Sequence, residues 1–534
     1  MTHVIDSPGR VVYNQRTVLP TVLLIHPPLA KACEPPAGVA KLAGFLRQHG
    51  VGYHLLDVNL EGILDLLHRP LEPADTWTRR AARNLERNLL AVRDWNLYRN
   101  HDRYRRVVAD LNRVLSVSGE KYHGRVSLSD FQHETLSPIR SGDLLWSAEH
   151  PEDDPFHPYF SLRLRTIVEE TSPRAVGFSL AYLSQALSTF AMAGFLKRAF
   201  PGLRLVLGGG LVTSWVRNPG WKNPFCGLVD DIVDGPGEYP LLKILGKSPI
   251  SCQHTAPRFS GLPMDEYLGP GPIVPYATAS GCYWGQCSFC PERAEGNQYC
   301  PIAPDHAVEQ LRNLTVEYKP ALLHLVDNAL SPVLMNSIAT QPPGAPWYGF
   351  ARITRGLTDP DYALALRRSG CVMLKLGLES ADQHVLDSMR KGHDVETARS
   401  ALRALKKAGI ATYVYLLFGT PQETEESARK TLAFVAEEVE SIDFLNVALF
   451  NLPVGSAEAP ELQTEAFYDG DLSLYIDFRH PNGWDRKRVR RFIDSEFKRH
   501  PAVQEILKHH PPFFTSNHAP LFHLARARKR DARF

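Results

Sequence analysis

The chain has 534 residues, 44% apolar and 22% charged, an ordinary globular make-up with room for about two to four domains. Sixty basic against 58 acidic side chains leave a formal charge of +2, so no global field singles out nucleic acid or a membrane surface as a partner. No run approaches the ~18 apolar residues of a spanning helix, the N-terminus lacks a basic-then-apolar leader, and four of the eight cysteines crowd into 282–300; a cytoplasmic protein with reduced thiols is expected.

Val22-Leu-Leu-Ile25 is a continuous apolar run closed by His26-Pro27-Pro28, as for a strand buried on both faces. A helix follows over 36–49, with Val39, Leu42, Ala43 and Leu46 on one face and Gly50 as its stop. Residues 53–57 supply a second strand and complete a right-handed βαβ unit. The alternation then breaks. Residues 60–164 are charged, rich in Arg and aromatics, and helical in period (Tyr104, Val107, Val108, Leu111), so they read as an insertion packed on the sheet. Strands resume at 175–180 and 203–210 around a helix over 184–200, and a short strand at 231–234 runs into Gly235-Pro-Gly-Glu238. Residues 1–250 are therefore expected to form a doubly wound, Rossmann-like α/β domain whose ligand sits beyond the carboxyl ends of the strands. Ser179, Gly208, Gly209 and Gly235 stand at those ends; glycine there lets backbone approach a cofactor, or only makes a tight turn.

A linker over 251–270 leads to the strand-like run 273–279 and then to Ser280-Gly-Cys-Tyr-Trp-Gly-Gln-Cys-Ser-Phe-Cys290. Three thiols so close point to a soft metal or an iron–sulfur cluster, with Gly281 and Gly285 relieving the loop. Three ligands, Cys282, Cys287 and Cys290, leave the open position that a reactive centre needs. Cys300 could instead complete a four-cysteine zinc site, although no second Cys-x2-Cys pair follows. The Cys-x4-Cys-x2-Cys spacing also fits a plant-type [2Fe–2S] protein, but that is a small domain, and here a long series of strand–helix units begins.

Strands are expected at 276–280, 322–327, 348–353, 373–379, 412–419 and 443–450. Asp359-Pro360 starts one intervening helix that Gly370 ends, and Asp394 starts another that Gly409 ends. Six parallel βα units over 271–450 predict a partial (β/α)6 barrel with its chemistry at the carboxyl ends of the strands. Residues 451–534, with Trp484, Phe492, Phe497, Phe513 and Phe514, predict a small helical cap. His509, His510 and His518 read as core or surface residues ahead of substrate ligands, and the basic tail 526–533 as a solvated end.

Over 270–450 the chain resembles the radical S-adenosylmethionine (SAM) superfamily. The likeness rests on the three-cysteine loop with Phe289 before its last cysteine, Val326-Asp-Asn328, Leu376-Gly-Leu-Glu-Ser380, Val385-Leu-Asp-Ser-Met-Arg-Lys-Gly392 and Phe418-Gly-Thr-Pro-Gln-Glu-Thr424. The usual spacing is Cys-x3-Cys-x2-Cys, and this chain carries one residue more. Residues 1–250 are similar to the cobalamin-binding domain that precedes many such barrels: Pro-Pro after the first strand, Pro-x-Gly opening the first helix, Asp-x-Asn after the second strand, Gly-Gly after the fourth and Gly-x-Gly-Glu after the fifth. The Asp-x-His-x-x-Gly motif is absent, so no histidine from that loop is expected on cobalt.

The resemblance implies a [4Fe–4S] cluster on Cys282, Cys287 and Cys290, with SAM on its open iron and cobalamin beside it. It further implies Phe289 near the adenine, and Glu379, Ser380 and Arg352 as polar contacts to SAM. Asp327 and Asn328 are expected to orient SAM or substrate, or to cap the next helix; Arg352 and Glu379 also read as a salt bridge lining the mouth. Ser179, Gly208, Gly209 and Gly235 would border the cobalamin. A C-methyltransferase acting on an unactivated carbon of a natural-product-type substrate, small molecule or peptide, is expected, supplied by an electron donor such as flavodoxin or ferredoxin. A non-methylating radical enzyme and a non-catalytic zinc or iron–sulfur protein are the alternatives.

Overall fold

The structure is a computed structural model, and the residues described are 22–72, 75–248, 254–512 and 517–531. Phe513, Phe514 and the far end of the basic tail lie outside them. Strands β1 (Val22–His26), β2 (Tyr53–Asp57), β3 (Ala175–Ser179), β4 (Arg204–Gly208) and β5 (Asp231–Ile232) form a parallel sheet in the order β2-β1-β3-β4-β5. Strand order reverses between β1 and β3, which opens a crevice at their carboxyl ends. The unbroken apolar run of β1 follows from burial on both faces. Leu23 and Ile25 join one core cluster, while Val22 and Leu24 join another.

Helices α1 (Ala37–Gln48) and α2 (Glu238–Ile244) cover the second of those faces. The insertion covers the first: Tyr98, Tyr104 and Leu111 share a core cluster with Leu23 and Ile25. It is not helical throughout, since Gly124–Val126 and Phe131–His133 pair as a short hairpin. Phe522, on the last helix α3 (Ala519–Asp531), packs edge-on against Tyr98 and Tyr104, closing the end of the chain over the insertion.

The second sheet has six parallel strands: β6 (Ile273–Tyr276), β7 (Leu322–Leu330), β8 (Trp347–Ala351), β9 (Cys371–Glu379), β10 (Ala411–Phe418) and β11 (Phe444–Leu449). They are arranged β11-β10-β9-β8-β7-β6, an open barrel wall. Alternate residues divide the labour. Leu374, Leu376 and Leu378 of β9 pack outward with Ala398, Leu402 and Leu405 of the helix Val395–Ala408. That helix starts where Asp394 accepts from Thr397 N and ends at Gly409, φ +78°. Lumen-facing positions are aromatic and polar: His324 stacks on Tyr348 at 4.3 Å, and Lys375 lies 4.8 and 4.7 Å from the Tyr348 and Phe350 ring centroids.

Two elements differ from expectation. The first barrel strand is Ile273–Tyr276, not 276–280. Thr278 is tied to Asp327, and Ala279–Ser280 leaves the sheet to pair antiparallel with Cys300–Pro301. The cap is mixed, because Leu452–Pro453, Thr464–Ala466 and Tyr475–Phe478 form a small antiparallel sheet before the helices Arg486–Phe492 and Pro501–Leu507.

Candidate functional site

The cysteine loop leaves the sheet through a latch. The Asp327 carboxylate accepts Thr278 Oγ1 at 2.6 Å and Thr278 N at 3.1 Å, and burial pushes its pKa up. Asp327 therefore fixes the root of the loop rather than facing a ligand, and the next helix is capped by Ser331 instead. Asn328 remains exposed, with Nδ2 3.4 Å from Gly281 O. Gly281 has φ +69°, and a Cβ there would sit 2.4 Å from Gln298 O, so no other residue fits this turn.

The loop is then clamped onto residues 389–392. Ser288 N donates to Met389 O (3.0 Å) and Trp284 Nε1 to Arg390 O (2.9 Å). The Trp284 ring lies where a Cβ on Gly392 would come within 2.2 Å of it, and the Arg352 guanidinium sits 3.7 Å from its centroid. This clamp explains Arg390-Lys391-Gly392, which the sequence presents only as part of a family likeness: Gly392 makes room for the ring, and Lys391 supplies a cation.

Cys282, Cys287 and Cys290 are partly buried and free of disulfides. Burial raises the thiols of Cys287 and Cys290, the latter to about 11, while Lys391 and Arg352 favour the Cys287 thiolate. Among the described residues no three His, Cys, Asp or Glu side chains converge closely enough to hold a single ion. Cys300 is exposed, across the strand pair from Ser280. Three half-buried thiols splayed on one loop beside two cations fit the ligand set of a polynuclear cluster with one unligated iron better than a closed tetrahedral ion.

At the strand ends, the expected Arg352–Glu379 pair is replaced by Lys391–Glu379, Nζ to Oε1 2.7 Å, both side chains buried. Glu379 adopts φ +65°. Lys391 Nζ is 5.4 Å from the Phe289 ring centroid, so Phe289, Lys391 and Glu379 form one group beside the thiols. Arg352 donates to Lys391 O, its Nε has no partner, and burial lowers its pKa. Ser380 is fully buried, with Oγ bonded to Thr431 Oγ1 and Asp382 N, so its hydroxyl is spent inside the fold and not offered to a cofactor. Lys391 was assigned no role from sequence. Its only signal was its place in the 385–392 motif.

Facing the loop, a cavity of about 550 Å³ opens at the crevice of the first sheet. Its floor reaches down the sheet to Leu24, Gly177 and Val206, between Val39 and Leu42 of α1 and Leu241 of α2. Ser179, Gly208, Gly209 and Gly235, all expected at a cofactor, line its mouth together with Gly38 and Gly237. Gly209 has φ +112°, and a Cβ there would lie 2.3 Å from Leu180 O. The opposite wall is Ser280, Gly281, Pro291, Glu292, Glu295 and Asn297, from the cysteine loop and the segment after it. Arg217 rivets the two walls, donating to Asp234 Oδ1 (2.7 Å), Glu295 O (3.1 Å) and Asn297 Oδ1. The outcome is a mainly apolar slot under a glycine-rimmed mouth, walled on one side by residues that flank the three cysteines.

Residues 276–435 match the Radical SAM superfamily, a span that takes in the cysteine loop and the strands to β10. An uncharacterised methyltransferase of Pyrococcus horikoshii is 23% identical over 311 residues, 50% of this chain and 65% of that one. An anaerobic magnesium-protoporphyrin IX monomethyl ester cyclase of Rubrivivax gelatinosus is 26% identical over 231 residues, 41% of each chain. The chain thus spans less than two thirds of those relatives' own lengths. In fold it is similar to the cobalamin-dependent SAM radical enzyme OxsB with aqua-cobalamin bound (TM-score 0.58, 12% identity, 92% of this chain and 71% of that one). It is also similar to the radical SAM methyltransferase TsrM of Kitasatospora setae with tryptophan and aza-SAM bound (TM-score 0.55, 15% identity, 96% and 99%).

Proposed function

We propose that the chain, whose residues 276–435 match the Radical SAM superfamily, is a cobalamin-dependent C-methyltransferase acting on an unactivated carbon of a small molecule or peptide. The observation that carries the reading is the glycine-rimmed slot whose second wall comes from the cysteine loop and the segment after it. Methyltransferases among the relatives support it.

The residues fit both groups. Cys282, Cys287 and Cys290 would hold a [4Fe–4S] cluster with one iron left to SAM, and the slot between α1 and α2 would take the tail of a cobalamin whose ring rests on Gly208, Gly209 and Gly235. When bound, the cluster with SAM supplies removal of a hydrogen atom from carbon, and a corrin supplies a transferable methyl group. The protein's own part is positioning. Lys391 and Arg352 offset thiolate charge, and the Lys391–Glu379 pair offers an acceptor at the strand end for the amino group of SAM, with Phe289 beside the adenine. Trp284 holds the loop closed, and Arg217 ties the two walls of the slot together.

Oxygen-free reconstitution followed by iron, sulfide and corrinoid analysis, then incubation with SAM and a flavodoxin or chemical reductant, tests this. The expected result is about four irons and one corrin per chain, with 5′-deoxyadenosine formed. Label from the SAM methyl group should appear in product. A closed zinc ion with intact SAM would overturn it. The second reading, a non-methylating radical reaction, is favoured by the likeness to a cyclase; it predicts 5′-deoxyadenosine without methyl transfer.

A further inference from the structure

A second cavity of about 550 Å³ lies between the lumen face of β7–β9 and the loop that joins β1 to α1. Its charged lining is Lys31 and Glu34 from that loop and Lys375 from β9, with His324 of β7 and Asn517 beside them. Glu34 reaches across to the barrel: its carboxylate meets His324 Nδ1 at 2.9 and 3.0 Å and accepts Asn517 Nδ2 at 3.0 Å. His324 Nε2 then faces Lys375 Nζ at 3.3 Å.

The network does not close on itself. Lys375 is 2% exposed, and its ammonium carries three donors, yet His324 is its one hydrogen-bond acceptor and it forms no ion pair among the described residues. Lys31, on the same cavity, has no ion pair among them either. Burial pulls Lys375 down to about 8, with Glu34 opposing, so it remains protonated at neutral pH. Burial pushes Glu34 up, but the hydrogen bonds from His324 Nδ1 and Asn517 Nδ2 and the charge of Lys375 keep the carboxyl below its usual range, hence ionised. Burial also lowers His324, which stays neutral. Two cations against one anion leave a single surplus positive charge in a largely desolvated space, costly unless a ligand matches it.

We propose that this cavity holds the substrate of the radical reaction and that Lys375 and Lys31 bind a carboxylate group on it, with His324 positioning Lys375 and Glu34 standing as the competing anion. The assignment of the cavity to substrate rests on the reading above; the anion site itself does not. A carboxylate brings one negative charge and so cancels the surplus, whereas a phosphate brings about 1.5 to 2 and overshoots it. Lys375 stands four residues before Glu379 on β9, roughly 13 Å along the strand. A substrate anchored by its carboxylate at this depth would extend its far end toward the cysteine loop, and the aromatic walls Tyr182 and Phe350 suit an apolar body between.

The test is a calorimetric titration of the reconstituted full chain with phenylacetate, phenylacetamide and benzylphosphonate. Phenylacetate should bind saturably at millimolar concentration and the amide should not. Lys375→Met should weaken the acid about tenfold or more, and Lys31→Met should weaken it less. Glu34→Gln should tighten it several-fold, because a competing negative charge is gone; a merely structural strap would predict the opposite. If Lys375→Met loses iron or helical signal, Lys31→Met and Glu34→Gln carry the test. Equal binding of acid and amide, preference for the phosphonate, Glu34→Gln weakening the acid, or no saturable binding would each overturn the site. The titration needs neither SAM nor reductant. A protein that binds the acid but leaves SAM intact sinks the radical reading and keeps the anion site, and the reverse outcome sinks the anion site alone.

Discussion

The two sheets meet their ligands in opposite ways. The doubly wound sheet offers mainly glycine at its mouth: Gly38, Gly208, Gly209, Gly235 and Gly237 present backbone and empty volume. The barrel presents thiols, a buried Lys391–Glu379 pair, and Arg352 against Trp284. One site selects by shape and tolerates a neutral, bulky guest. The other selects by charge and is sensitive to single atoms. A glycine mouth fails when a methyl group is added, and a charged mouth fails when one partner is removed, so the two halves should break separately.

The largest separation is expected from the cysteines. Changing Cys282, Cys287 or Cys290 to Ser should drop iron from about four per chain to background and abolish 5′-deoxyadenosine, while Cys300→Ser leaves both intact; iron analysis and chromatography decide it. The mirror experiment is Gly208→Leu. A Cβ there meets Val233 at an ordinary 3.5 Å, so the fold should survive while the added branches enter the slot. Corrin affinity should fall about tenfold to a hundredfold with iron unchanged, read by equilibrium dialysis.

A smaller effect is expected from Lys391→Met, which strands Glu379 as a buried lone carboxylate and should cost roughly 3–5 kcal/mol in urea unfolding. Adding Glu379→Gln should restore most of that stability without restoring SAM affinity, separating charge balance from recognition. The smallest concerns pH. Leu445 N donates to His510 Nε2, and burial lowers His510 to about 4. Its folded pKa lies below its unfolded one, so the unfolded chain binds more protons and stability present above about 6.5 is lost as pH falls toward 4. At pH 5 the loss should be roughly 1–2 kcal/mol, absent in His510→Asn, with corrin and iron contents unmoved.

Much of this was legible in the sequence. The strands of the first sheet were marked because burial on two faces demands continuous apolar runs, as in β1, those of the barrel because apolar residues recur at alternate positions, as in β9, and the helix stops at Gly370 and Gly409 because a residue of positive φ is needed there. What failed to show depends on tertiary placement. Asp327 lies in the last half of β7 and Ser380 just after β9, where ligands are common, yet the first latches Thr278 and the second faces Thr431. Lys391 comes to stand beside the thiols only because the cysteine loop is folded onto residues 389–392. The hairpin at 124–133 and the small sheet in the cap were hidden by short, polar strands whose pairing, not composition, defines them. His518 was legible in kind: it is wholly buried, beside the Tyr104 hydroxyl.

One wall serves two guests. Ser280, Gly281, Pro291, Glu292, Glu295 and Asn297 flank the cysteines and also wall the slot proposed for a corrin. Anything that stiffens this segment from one side alters the cost of filling the other, and such linkage is reciprocal in free energy. Iron-depleted protein should therefore hold the corrin more weakly, and corrin-free protein should rebuild its cluster less readily, by one shared factor.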